Sequence, residues 1–415
     1  MKKWKWSLII IVVALIIGGI VWHKTHQKKA LGSTVSIWVV GEEPTNIAPL
    51  MSEFEKQNPG VTVVVQYVPW DSAVTKLLTA ILSNTTPDIS IVGSTDLAYF
   101  QSLGVLENLK PYMESPNSLI HESDFIPSTI ESNQYSGGTY GLPWIFGAKI
   151  AFYRTDLMEQ AGFDTFPTTW EGVEKLCEAE KQNGVKYPVL LPFNSATIFY
   201  SFLHDNNTGI INASGNSLVA TPQFKVAAEQ YLTFNQKGLA PLSVDEDSAQ
   251  LFAEGQVGIL FANPWEDQLL DQAAGTAFRA KWSTALVPGK NGSISDLGGN
   301  DLVMFKASKN KENAFKLMAF LTSPEIEYQY YKETGIPPTN IKGWDYLPNT
   351  PFNQVAKQQV YASVVQLNIP QNEKLESQIV QSLQNVIYKQ QTLDQALSSL
   401  NIKVNKIMKN EDDDE

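Results

Sequence analysis

Several aromatic and polar residues of this 415-residue chain stand where apolar runs end. Glu42 and Glu43 follow SIWVV, Trp70 follows VTVVVQYV, and Ser94, Thr95 and Asp96 follow PDISIVG. Trp144 stands in YGLPWIFG, Asn194 in LPFNSAT and Trp265 in ANPWED, while Gly298, Gly299, Asn300 and Asp301 precede LVMF. These residue types suit a polyhydroxylated ligand such as a sugar. A pyranose has apolar C–H faces and a rim of hydroxyls. An indole covers such a face with few rotamers to freeze. Carboxylates accept from hydroxyls, amides both donate and accept, and adjacent glycines let backbone N–H groups come close.

Each residue also has a plainer reading. Trp70 and Trp144 can cap a core, Asp96 can cap a helix beginning at LAYF, and the two glutamates and two glycines can be ordinary turns. Trp265 is the firmest of the set. Pro264 holds it directly after a strand, whereas a core tryptophan belongs inside the apolar run.

Other chemistries find little support. The chain carries no P-loop, HExxH or GxSxG, and one cysteine excludes a CxxC motif. The four histidines are scattered, so no metal site is expected and no cofactor is implied. Cys177, in TWEGVEKLCEAEK, reads as a small core residue on a helix. A net charge of −12 argues against nucleic acid, which needs a basic face. Acid pairs are plentiful, so composition leaves open a glycosidase using two of Glu42, Glu43, Asp96 and Asp301.

The elements that must position these residues follow from periodicity. TVSIWVV, VTVVVQYV and PDISIVG read as strands, and IAPLMSEFEKQN and DSAVTKLLTAILSN as amphipathic helices between them. Strand and helix alternate with short joins, which predicts a parallel sheet with crossover helices. Ligands bind such sheets at the C-terminal ends of the strands, where these residues fall. KIAFYR, VKYPVLLPF, QVGILFA and LVMFKA extend the pattern. Thr168 with Glu171 and Thr392 with Gln395 read as capping boxes, and Ser323-Pro324-Glu325 as a helix start with proline in the first position. The length predicts two lobes.

The N-terminus reads as a membrane segment. A basic start, MKKWKW, precedes SLIIIVVALIIGGIVW and then HKTHQKK. Trp4, Trp6 and Trp22 bracket the apolar core as interfacial anchors do. Residues 1–33 are therefore expected to be an anchor or signal segment, with an uncleaved transmembrane helix preferred, and EDDDE at 411–415 to be a solvated acidic tail.

The ordered series SIWVVGEEP, IAPLMSEFEKQNPGVTVVVQYVPWDSAVTKLLTAILSNTTPDISIVGS, YGLPW, AFYRTDLMEQAGFDTFPTTWEGV, GQVGILFANPWED and GGNDLVMFKASKNKENAFKLMAFLTSPEIEYQYYKETGIPPT resembles extracellular solute-binding proteins of family 1. These are the sugar receptors of ABC importers, maltose-binding protein among them. The resemblance implies a two-lobed periplasmic-binding-protein fold of type II, α/β with parallel-rich sheets. It implies lobe 1 over 34–145 plus 288–336 and lobe 2 over 150–284 plus 340–410. It also implies a monomer outside the cell that binds a carbohydrate without altering it and delivers it to ABC permease subunits. Glu42 and Glu43 match a polar pair that meets sugar hydroxyls, Asp96 an acidic acceptor, and Trp265 a stacking tryptophan. Asn194 stands near a position that holds a carboxylate in maltose-binding protein. Two rings of the family are missing: Asn300 follows the double glycine, and the region of Glu376 has no aromatic. A tethered sensor that serves no importer remains a second reading.

Overall fold

Strand β1, Ser33–Val40, alternates buried and partly exposed residues and pairs in parallel with β2, Val61–Val68, and with β3, Ile89–Gly93. The helices Pro44–Gln57 and Trp70–Leu82 make the crossovers, as the alternation of strand and helix predicts. The computed structural model describes residues 33–41, 44–244, 247–365 and 367–410. The expected membrane segment and the acidic tail lie outside these residues, apart from Ser33. Among the described residues, no helix is long and apolar enough to cross a membrane.

After the short hairpin β4 (Gln134–Tyr135) and β5 (Gly138–Thr139), strand β6 runs over Leu142–Ala148 and β7 over Ile150–Arg154. Further on come β8 (Tyr187–Leu190), β9 (Val257–Ala262), β10 (Trp282–Ala285), β11 (Asp296–Met304) and β12 (Val364–Val365). The larger sheet has the order β12-β11-β3-β1-β2, with β6 also paired to β11. The smaller sheet has the order β10-β7-β9-β8. The sheets are mixed rather than parallel-rich. β11 runs antiparallel to β3 and β6, and β7 antiparallel to β9 and β10. Periodicity marks a strand but carries no direction, and β11 enters the sheet from a distant part of the chain.

Each sheet has its own apolar core. Val35, Ile37, Ile89, Leu302 and Met318 meet in one, and Val189, Ile259, Phe202, Tyr231 and Leu400 in the other. Cys177 is buried in the second core, as its helical spacing predicts. The chain passes from the larger sheet to the smaller at Lys149, between β6 and β7. Residues 340–365 do not sit with the smaller sheet alone. Trp344, Ala356 and Val360 pack with Ile126, Phe146 and Leu297, and β12 pairs with β11. The helix Pro351–Ala362 also lays Phe352 against the core of the smaller sheet, so the segment bridges both halves.

The glycine pair proves to be part of β11 and not a turn before it. Gly299 faces Phe146 across the β6 ladder, and a Cβ there would lie 1.7 Å from the Ile145 carbonyl oxygen. Only glycine allows that approach. One residue further on the register with β6 shifts: Asn300 faces Ile145 and Asp301 faces Pro143, so Trp144 is the extra residue on β6, while the pairing of β11 with β3 runs on unbroken.

The helix starts are correct in one case and displaced in another. Thr392 and Gln395 form the expected reciprocal capping box at the head of the helix Leu393–Met408. At Trp170–Gln182 the cap is Thr169, which accepts from Gly172 N, so Thr168 and Glu171 make no box. Thr392→Ala leaves the Gln395 N–H at the helix start without its partner. It is expected to lower stability by about 1 kcal/mol, read as a lower urea midpoint at unchanged slope.

Candidate ligand-binding cleft

Parallel pairing brings the ends of β1 and β2 to one edge of the larger sheet. Gly41 leaves β1 there, and Pro69-Trp70 leaves β2. Trp70 opens the helix Trp70–Leu82, is 46% exposed, and lays its indole over Gly41, where a Cβ would lie 2.6 Å from Nε1. The antiparallel β11 brings Asn300 to the same edge, paired with Gly93. Ser94 N donates to Gly299 O at 2.9 Å and Gly299 N donates to Ser94 Oγ at 3.2 Å, which pins β11 to the end of β3.

The smaller sheet supplies the facing wall. The register Ile150↔Ala262 sets Lys149 beside Asn263, and Pro264 and Trp265 follow at once. The Trp265 indole reaches back over β6. A Cβ on Gly147 would lie 2.8 Å from its Cζ3, so the ring rests on bare backbone. Gly147 pairs with Gly298 in the β6–β11 ladder, and this side-chain-free patch makes room at the crossing between the halves. Along the helix Glu266–Ala274, Gln268, Leu269 and Gln272 follow Trp265 on one face.

Between these walls lies a cavity of about 630 Å³. Trp70, Trp265, Gly299 and Asn300 line it, as do Lys149 and Asp296. A smaller cavity of about 340 Å³ opens at the ends of β8 and β9 and is lined by Asn194, Glu266 and Val244. Lys149, Asn263 and Trp265 line both, so the indole stands at the junction. It faces the gap rather than the interior of either half.

Other expected residues fall elsewhere. Trp144 is 2% exposed and packs on Tyr330 at 4.9 Å between ring centroids. It lies inside β6, whose residues are all buried, so it is a core ring and not a strand-end one. Asp301 is fully buried, past the bulge, and accepts from Asn133 Nδ2 at 2.6 Å. Burial pushes its carboxyl up to about 8. It lines neither cavity. Asn194 lines only the smaller cavity. Glu42 and Glu43 lie outside the described residues.

Asp96 is the N-cap of the helix Leu97–Ser102 by position, yet its side chain makes no cap hydrogen bond. Burial, and then the charge of Glu373, raises its carboxyl to about 6. Glu373 belongs to the helix Asn372–Ile387, which packs in the core of the smaller sheet. The two acids therefore approach from opposite halves.

Lys149, Asn263 and Gln268 were not anticipated. Lys149 did leave a signal, a lone charge inside the apolar run LPWIFGAKIAFYR. Burial lowers its ammonium, while Asp296 and Glu266 hold it up. Gln268 and Gln272, three and seven residues beyond Trp265, were also legible by helical spacing.

Residues 41–328 match the family described as bacterial extracellular solute-binding protein. A binding protein of Brucella abortus is 30% identical over 315 residues, which cover 72% of this chain and 75% of that protein. The diacetylchitobiose binding protein DasA of Streptomyces coelicolor is 23% identical over 329 residues, covering 75% and 76%. Among solved structures, the sugar-binding protein MalE from Xanthomonas citri superposes with a TM-score of 0.84 at 28% identity, over 91% of this chain and 98% of that one.

Proposed function

We propose that this chain, which belongs to the bacterial extracellular solute-binding protein family, is the substrate-binding component of an ABC transporter and captures a carbohydrate between its two halves. The observation that carries this reading is the cavity itself. Two indoles, one from each half, flank a space edged by Asn300 and by backbone left bare at Gly147, Gly298 and Gly299. Such a surface covers sugar faces and meets hydroxyls. The likeness to proteins named for sugars supports it. No bond is made or broken. The halves hinge closed because the ligand binds the closed form better, and the closed form is presented to the permease.

One lobe comprises 34–145 and 288–336 and the other 150–284 and 372–408, with 340–365 bridging them. The apolar stretch between Trp6 and Trp22 tethers the protein at the outer face of the membrane. Mass spectrometry of the mature N-terminus tests the tether, and a new terminus beyond Trp22 refutes it.

Isothermal calorimetry against di- and oligosaccharides tests the binding reading. A folded sample that gives heat with none of them overturns it. Trp70 is half exposed and rests on Gly41, so Trp70→Ala removes one flank of the cavity with little loss of core. Affinity is expected to fall by about five- to tenfold, consistent with loss of roughly 50 Å² of apolar contact at about 25 cal/mol per Å².

A further inference from the structure

The helix Thr197–Asp205, which meets the helix Asn372–Ile387 where Glu376 reaches Ala196 N, holds a polar group with no partner among the described residues. Thr197 lines the main cavity, and Tyr200 lies one turn further along the same helix. The Tyr200 side chain is buried, with the residue 6% exposed, and among the described residues its hydroxyl has no hydrogen-bond partner. Buried hydroxyls are normally paired, so an orphan beside a cavity points to a missing ligand atom. Burial first, and then the charges of Glu376 and Asp296, raise the hydroxyl well above its ordinary value. Asp296 itself lines the main cavity. Glu376 accepts from Ala196 N at 3.3 Å, which holds it beside the start of the tyrosine's helix.

The setting is acidic on both sides of the gap. Glu373 acts on Glu376 within its own helix and on Asp96 from the larger sheet. The charges acting on Asp96, Tyr200 and Glu376 are thus carboxylates: Glu373, Glu376 and Asp296. The ammonium of Lys149 faces Asp296 and Glu266. Closing the halves around a neutral sugar gathers these acids in a space that loses water, where like charges repel most. A hydroxyl offers one donor and no charge. A protonated amine offers several donors and the opposite charge.

Resting on the reading of the cleft as a sugar site, we infer that the carbohydrate it takes carries a basic nitrogen, whose N–H groups donate to Glu376 and the Tyr200 hydroxyl beside Asp296. The ligand class is an amino sugar or an oligosaccharide with an amino linkage.

Matched probes test this by calorimetry at pH 7: chitobiose against cellobiose and N,N′-diacetylchitobiose, and acarbose against maltotetraose. The amine-bearing member of at least one series should bind about tenfold or more tighter than its neutral partners, a difference of about 1.4 kcal/mol. Glu376→Gln should erase that difference. Tyr200→Phe, which keeps the ring and its packing, should reduce it by about half or more on a logarithmic scale. Neutral members that bind as well as or better than the amines overturn the inference and leave the sugar reading standing, and proton uptake on their binding would show what replaces the cation. Silence of every probe with a folded sample overturns both.

Discussion

Trp265→Ala is expected to weaken carbohydrate binding by about 50- to 100-fold, a loss of roughly 2.5 kcal/mol. The figure corresponds to about 100 Å² of ring face lost from ligand contact at about 25 cal/mol per Å². This exceeds the effect at Trp70 because Trp265 stands where the two cavities join. Its position is also better defined. Pro264 precedes it, Gly147 lies under it, and it sits at the head of the helix Glu266–Ala274. The melting temperature should fall only slightly, because the ring is partly exposed and lies over backbone at the edge of the core. Trp265→Phe keeps a flat ring and should recover part of the affinity. Calorimetry with the tightest sugar from the panel measures all three proteins. Unchanged affinity in the alanine variant removes Trp265 from the site.

Stability should fall as pH rises from 6.5 to 8, contrary to the common pattern in which ionised carboxylates stabilise the fold. Burial pushes Glu180, Asp301 and Glu327 up to about 8 each. A carboxyl whose folded value is raised keeps its proton in the native state where the unfolded chain has lost it. Its contribution is complete below the ordinary carboxylate range and is lost as pH climbs through about 8. His204 works the other way. Burial lowers its imidazole, so it adds stability as pH rises toward its ordinary value of about 6.5. Above 6.5 the imidazole drops out, and the lowered ammonium of Lys149 works against the acids. Between pH 6.5 and 8 the loss should reach roughly 2 kcal/mol or more, since one unit of pH with one proton of difference is worth about 1.4 kcal/mol.

Asp301→Asn sharpens this test. The amide keeps an oxygen for Asn133 and cannot ionise, so the variant should show a shallower decline. It should bind sugar as the parent does, because Asp301 is buried away from the cleft. Thermal melts across the window measure the slope. A melting temperature that is level or rising removes the buried acids as its cause, and an unaltered slope in the variant removes Asp301 from among them.

How far the site could be read in advance differs residue by residue. Trp70 and Trp265 were legible because each directly follows an apolar β-run, and the end of a parallel strand is a fixed place in space. Trp144 was misread because YGLPWIFG gives no sign of where its strand stops. The proline before it resembles Pro264, yet β6 continues through it and buries the ring. Asp301 was misread for a different reason. Its surroundings are set by β6 and by Asn133, which come to it from distant parts of the chain, and no local spacing announces that burial. Tyr200 and Glu376 could not be associated at all, since they lie far apart in the chain and only folding brings Glu376 to the start of the tyrosine's helix.

By itself, the order of residues determined the element types, the crossover helices of the first sheet, the capping box at Thr392 and the family. These follow from spacings of two, three or four residues, which act within one element. The tertiary structure alone decided strand direction in β11 and β7, the bridging role of 340–365, and which ring lines the cavity and which lies in the core. Each of those depends on contacts between distant segments, where the packing of two sheets, and not local spacing, chooses between otherwise equal alternatives.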